Sequence, residues 1–236
     1  MPNSASFRLG PMCSVVDVHP DPDSDDERVL DAYHRAALPM VVQAAREQQA
    51  LHASAVVTPS RAVVAFCGST HAGKTTLAYG LGRRGCSIWA DDVLAFAAAN
   101  ATGVLALRLP FRLNLREQAA AHFGAVAEEA SYLDSEWEEG TRAPLAVVFD
   151  LERVERGQPQ SGPAARRLSP TEALLALLAH AFRFQPQTPD ELRRMLADYL
   201  ELVARVPAFR LRVPPGLDGL DGLLDEVERT VAAAAP

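Results

Sequence analysis

Lysine is nearly absent from this chain. Its 236 residues hold one, Lys74, against 22 arginines, so wherever a positive charge merely solvates a surface the sequence uses arginine. Cysteine is scarce as well. Cys13, Cys67 and Cys86 are odd in number and lack C-x-x-C or Cys/His ligand spacing, which argues against a disulfide framework or structural zinc and predicts reduced thiols in a cytoplasmic setting. No apolar run approaches the roughly 18 residues needed to span a bilayer, and no basic segment with an apolar core opens the sequence. The expectation is a soluble, cytoplasmic protein with no membrane partner. Basic blocks and aromatic–basic interleaving are also missing, and the net charge is -7, so nucleic acid is not an expected partner.

What is present is an ordinary globular composition, 48% hydrophobic and 22% charged, read as one domain over residues 1–236. The single lysine needs a reason, and its neighbours supply one. Gly68-Ser69-Thr70-His71-Ala72-Gly73-Lys74-Thr75 fits G-x-x-x-x-G-K-[ST], the pattern of a phosphate-cradling loop. A compact ammonium fits against β- and γ-phosphates where a planar guanidinium is bulkier and geared to bidentate contacts. The flanks match the mechanics. Arg61–Cys67 is a short apolar run that reads as a buried strand feeding the loop, and Thr75–Arg84 reads as the helix that follows. In that context the backbone N–H groups and helix N-terminus face phosphate, with Gly68 to Thr76 as the binding segment. Lys74 screens charge and the Thr75 hydroxyl can ligate magnesium.

The rest of the chain reads as α/β. An extension over residues 1–50 holds a strand at Cys13–Val18, an acidic loop at His19–Glu27, and helical sequence from Val29 to Ala50 interrupted at Pro39. The nucleotide-binding core, 51–155, has strands at Leu51–Val57, Cys86–Ala90, Val104–Leu109 and Leu145–Leu151. Asn114–Phe123 reads as a helix there, and Glu128–Glu139 as a surface helix or loop. Residues 156–167 are rich in Gly, Pro and Gln and read as a mobile connector. The part from 168 to 236 is mostly helical. Ser169-Pro170-Thr171-Glu172 is a capping box with proline at the first helical position; Pro189–Val206 and Leu220–Ala234 are helices, and Ala208–Val213 is a closing strand. A mixed sheet with flanking helices is expected.

A phosphate loop alone does not separate hydrolysis, transfer and binding. Asp91-Asp92 narrows the choice. The pair follows Lys74 by 17 and 18 residues and ends a strand, where ligands collect in open α/β sheets. Neighbouring residues there point apart, so one carboxylate can act as a base while the other reaches a magnesium ion, or both can cap a turn.

Leu51-His52-Ala53-Ser54-Ala55, the loop Gly68 to Thr76, and Arg84-Gly85 through Ala90-Asp91-Asp92 together resemble the catalytic domain of HPr kinase/phosphorylase. The resemblance covers about residues 50–95. It implies a P-loop fold of the HPr kinase and phosphoenolpyruvate carboxykinase type, with phosphoryl transfer from ATP to a serine hydroxyl. Carried over, Lys74 binds the β/γ-phosphates, Thr75 ligates Mg²⁺, Asp91 is the general base, Asp92 supports the metal or base, and His52 lies near the phosphates. The two aspartates can exchange roles, and His52 can equally be a strand-end histidine satisfied by backbone. His71 sits at a variable loop position and reads as a solvent-facing spacer.

The sequence departs from that family in having Thr75 where a serine follows the lysine, and it shows no clear metal-binding glutamate, though Glu117 and Glu152 are available. The short form is closer to stand-alone HPr-kinase-like proteins, some of which modify ribosomally made peptides such as lasso-peptide precursors. The implied acceptor is therefore a serine of a peptide or small protein, with a small hydroxyl-bearing metabolite as the alternative and a homo-oligomer possible. Arg112, Arg116 and Arg183 are candidates to hold transferred phosphate or an acidic peptide terminus. A nucleotide-binding regulatory module without transfer is the rival reading.

Overall fold

A computed structural model describes residues 5–10, 15–46, 48–99, 103–125, 138–154, 164–182 and 188–234. Strands β1 (Ala5–Leu9) and β2 (Val16–Pro20) form an antiparallel hairpin. Helix α1 (Asp26–Ala32), a π-helical turn (Tyr33–Ala37) and helix α2 (Leu38–Arg46) follow without a break. The first strands of the main sheet are β3 (Gln49–Leu51), β4 (Ala53–Val57) and β5 (Val63–Gly68). Helix α3 (Lys74–Arg83) leads to β6 (Ser87–Ala90), β7 (Leu94–Ala99) and β8 (Gly103–Leu107). After α4 (Glu117–His122) come the long strand β9 (Arg142–Arg153), β10 (Ala165–Arg167), α5 (Pro170–Ala179), α6 (Pro189–Arg205), β11 (Ala208–Val213) and α7 (Leu220–Ala234).

The nine strands β3 to β11 make one mixed sheet, in the order β3-β7-β8-β9-β5-β4-β6, with β11 also beside β9 and β10 beside β11. Strand β5 is parallel to β9, and β9 is parallel to β11. β4 is antiparallel to both β5 and β6, so β6 runs with β5. Four strand ends therefore reach the same edge: Gly68, Ala90, Arg153 and Val213. The start of β4 at Ala53 joins them there. Ligands collect at such an edge because helix N-termini and loop amides face it.

Apolar residues bury both faces. Leu177 of α5 and Tyr199 and Leu202 of α6 pack on one side against Leu51, Phe96 and Val148. On the other, Leu77 and Leu81 of α3 and Leu220 to Leu224 of α7 cover Val64, Phe66 and Phe149. Arg84 at the end of α3 binds Asp221, Asp225 and Glu228, which ties α3 to α7 rather than to any ligand.

Two expectations need correction and a third is refined. Pro39 disturbs the helix without breaking the helical path: a π turn ends α1, and a second α-helix begins at Leu38, one residue before the proline. A proline lacks the N–H that would serve the carbonyl four residues back, and the ladder is rerouted through the π turn, where the Leu38 N–H donates to the Tyr33 carbonyl. Helix does not extend to Ala50, because Gln49–Leu51 pairs antiparallel with β7. The alanine-rich stretch Leu94–Ala99 is itself a strand that sequence reading missed; tertiary pairing with β3 and β8 overrides the helix preference of alanine. The first strand pairs as Val16–Pro20 with Ala5–Leu9, leaving Cys13 outside the described residues. Most of 128–139 and of the 156–167 connector is outside them too, although Ala165–Arg167 is strand β10.

Candidate active site

The loop between β5 and α3 has the backbone that its glycines allow. Gly68 has φ +154, and a Cβ there would lie 2.9 Å from Ala72 Cβ and 3.0 Å from Leu151 Cβ, so no larger residue fits without movement. Gly73 caps α3 at φ 106, in the left-handed region glycine tolerates. Ala72 N–H donates to the Ser69 carbonyl at 3.0 Å, closing the turn. Lys74 is buried, and its Nζ donates to the carbonyls of Gly68 at 3.0 Å and Ser69 at 3.2 Å. Burial pulls the ammonium's pKa below its usual range, while Asp92 and Asp91 act against that shift.

The two aspartates are not equivalent. Asp91 is 3% exposed. Its Oδ1 accepts from Ser54 Oγ at 2.5 Å and Thr75 Oγ1 at 2.8 Å, and its Oδ2 accepts from the Asn114 N–H at 2.9 Å. Burial raises its pKa, Asp92 adds to the rise, and the three hydrogen bonds oppose it. Asp92 instead lines the cleft in front of the loop. It has φ +62, unusual for a residue with a side chain. Arg108 helps set this strand end by donating to the carbonyls of Ile88 at 3.1 Å and Trp89 at 2.6 Å.

His52 sits at the bend between β3 and β4 and also lines the cleft. Its Nδ1 is 3.0 Å from the Asp92 carbonyl, which can only accept, so the proton is on Nδ1. Its backbone N–H donates to the His180 carbonyl at 2.7 Å. Burial and the nearby Lys74 hold its pKa below 6.5, so the ring is neutral near pH 7 with Nε2 as its lone-pair nitrogen. The reading of His52 as a histidine satisfied by backbone holds at Nδ1, and the residue also faces the cleft. His180 is fixed in turn by Asp150, 3.1 Å away, and Arg210 donates to the same carboxylate.

The cleft measures about 900 Å³, within the size range of cofactor sites. Besides His52, Asp92 and the loop from Thr70 to Thr76, it exposes Arg35, Arg112, Arg116 and Arg153. His71 is exposed, in keeping with a solvent-facing loop position; Arg116 Nη2 lies 3.0 Å from its Nε2, and Arg153 donates to its carbonyl at 3.0 Å. Glu117 and Glu152 are exposed and do not line the cleft, and Arg183 lies outside the described residues. Ser54, Asn114, Arg35 and Arg153 were not found by sequence reading. Only Ser54 carried a signal, one residue beyond the His52-Ala53 pair; the others come from the π-helical turn, the segment before α4 and the end of β9, which only the fold brings close.

The donor set suits magnesium. The Thr75 hydroxyl commits its proton to Asp91 and keeps its lone pairs for a hard cation, while the Asp91 carboxylate behind it orients that hydroxyl and adds negative charge. Among the described residues no three His, Cys, Asp or Glu side chains cluster to hold a metal, so most ligands would be water or phosphate oxygens, as magnesium prefers. Among them, too, no helix is long and apolar enough to cross a membrane.

No protein-family model matches the chain, and no curated protein matches it in sequence. Among solved structures, it is similar to the HPr(Ser) kinase/phosphatase from Coxiella burnetii, at 15% identity over 78% of this chain and 92% of that one, with a TM-score of 0.43. The likeness is distant.

Proposed function

We propose that the cleft belongs to an ATP- and magnesium-dependent phosphotransferase of HPr-kinase-like type, which passes the γ-phosphoryl group to a serine hydroxyl of a peptide or small protein, a lasso-type precursor included. One observation carries the reading: Thr75 of the glycine loop is hydrogen-bonded to Asp91 at 2.8 Å, while Asp92 and His52 open onto the same cleft as the single lysine. The loop amides and the N-terminus of α3 cradle the phosphates, and Lys74 turns from its loop carbonyls toward them. Magnesium, when bound, supplies charge neutralisation on the β- and γ-phosphates.

Asp91 has both carboxylate oxygens engaged and holds the Thr75 hydroxyl, so it serves the metal side. Asp92 then takes the proton of the acceptor hydroxyl, an exchange of the roles implied by family resemblance. The acceptor oxygen forms its bond to γ-phosphorus as the bond from that phosphorus to the bridging oxygen breaks, and ADP leaves with the electron pair. His52, neutral, holds Asp92 through its carbonyl and presents Nε2 to the cleft.

Intact-mass measurement of serine-bearing peptides and of HPr after incubation with the protein, ATP and magnesium tests this. A gain of about 80 Da on a serine, the mass of one phosphoryl group, is expected. Phosphate release with no acceptor modified would point to an ATPase, and nucleotide binding with neither product to a regulatory module.

A further inference from the structure

The N-terminal arm reaches the site through Arg35, in the π-helical turn. Its Nε lies 3.3 Å from Asp92 Oδ2 and 3.0 Å from Asp31 Oδ1. These are charge contacts rather than aligned hydrogen bonds, since the buried Nε has no hydrogen-bond partner. The guanidinium is shared between a carboxylate of its own helix and the carboxylate at the cleft, and it lines that cleft itself.

We propose that Arg35 is a positioning residue for Asp92, aiming its carboxylate at the acceptor, and that the π turn exists to put it there. Asp92 needs aiming. At φ +62 its backbone sits in the left-handed region that side-chain-bearing residues seldom adopt, and two contacts hold it. His52 Nδ1–H fixes the carbonyl at 3.0 Å, and Arg35 supplies the charge beside the carboxylate.

The arm is built to deliver that charge. Leu38 and Val42 of α2 pack with Val93, the residue after Asp92, and with Leu107 and Leu109. Pro39 leaves the Arg35 carbonyl without its usual donor, and the resulting π turn carries Arg35 on the cleft side of the helix. π turns of this kind recur at functional sites. A second contact from the same arm, Glu27 with Arg112 at 3.2 Å, pins its start to the cleft rim. Neither residue lies in the segment that carries the family resemblance.

The inference rests on the reading of the cleft as a transfer site, and the experiment keeps the two apart. In an Arg35→Gln variant, kcat for transfer is expected to fall on the order of 10- to 100-fold with the affinity for ATP unchanged, as for a misaimed group. Arg35→Lys should recover part of the loss, and added guanidinium ions should restore Arg35→Ala but not stimulate the wild type. In nitrogen NMR, the Nε–H signal of Arg35, assigned by its loss in Arg35→Lys, should move in Asp92→Asn. An unchanged kcat in Arg35→Gln overturns the inference, as does a kcat loss matched by lost ATP affinity or lost folding. If the wild type transfers to no acceptor, the functional reading fails. The Arg35 signal then decides alone: moved by Asp92→Asn it upholds the pairing, and unmoved it overturns it.

Discussion

At the scale of single residues, the site depends on positions where the side chain has no freedom. Gly68 is the clearest. Gly68→Ala would set its Cβ 2.9 Å from Ala72 Cβ, and such overpacking costs about 1–3 kcal/mol. The expected result is a lower urea midpoint together with lost nucleotide affinity, because the displaced atoms belong to the loop itself; an unchanged affinity would argue that the loop does not hold phosphate. His52 sets a pH dependence. Its folded-state pKa lies below 6.5 through burial and Lys74, so the unfolded chain takes up the proton first as pH falls. The stability it contributes is full above about pH 6.5 and is lost as pH drops toward the folded-state value. Urea denaturation at pH 7 and pH 5 should therefore show wild type losing stability relative to His52→Gln at the lower pH. An equal loss in both would remove His52 as the cause.

At the scale of elements, local signals in the sequence were legible wherever the physics was local. The capping box at Ser169 is formed as read, with the Ser169 side chain accepting from the Glu172 N–H and Glu172 accepting from the Ser169 N–H at 2.9 Å. Thr188 and Glu191 repeat it at the start of α6, a cap the sequence reading left unremarked. Ser169→Ala should cost about 1 kcal/mol in urea unfolding, the usual worth of such a cap, without touching nucleotide affinity. What was not legible was set at a distance. Gln49–Leu51 became a strand through partners more than 40 residues away, and Leu94–Ala99 joins that distant strand on one side and its chain neighbour β8 on the other, a pairing that no periodicity announces. The π turn is an intermediate case: proline at 39 announces a disturbed ladder, but not whether the helix breaks or widens, and in the fold the widened helix keeps Leu38 and Val42 packed on Val93 and Leu107.

At the scale of the whole molecule, one sheet edge gathers the chemistry. β5 brings the glycine loop and β6 the aspartate pair, while the bend between β3 and β4 contributes His52 and β9 places Arg153. The sequence motifs named Lys74, Thr75, Asp91, Asp92 and His52, and all of them meet at this edge. They did not reveal which aspartate faces the cleft, because that depends on Ser54, Thr75 and Asn114 converging on Asp91 from three separate segments. Nor did they reveal Arg35 of the arm and Arg153 at the end of β9, whereas Arg112 and Arg116, candidates from the sequence, do line the cleft before α4. The most direct test compares Asp92→Asn with Asp91→Asn, measuring magnesium-ATP affinity and single-turnover phosphoryl transfer side by side. The account predicts that Asp92→Asn binds as wild type does and loses transfer by on the order of 100-fold or more, the scale of a lost general base, whereas Asp91→Asn loses magnesium-dependent affinity. Transfer at the wild-type rate by Asp92→Asn, with Asp91→Asn inactive yet binding normally, would contradict it.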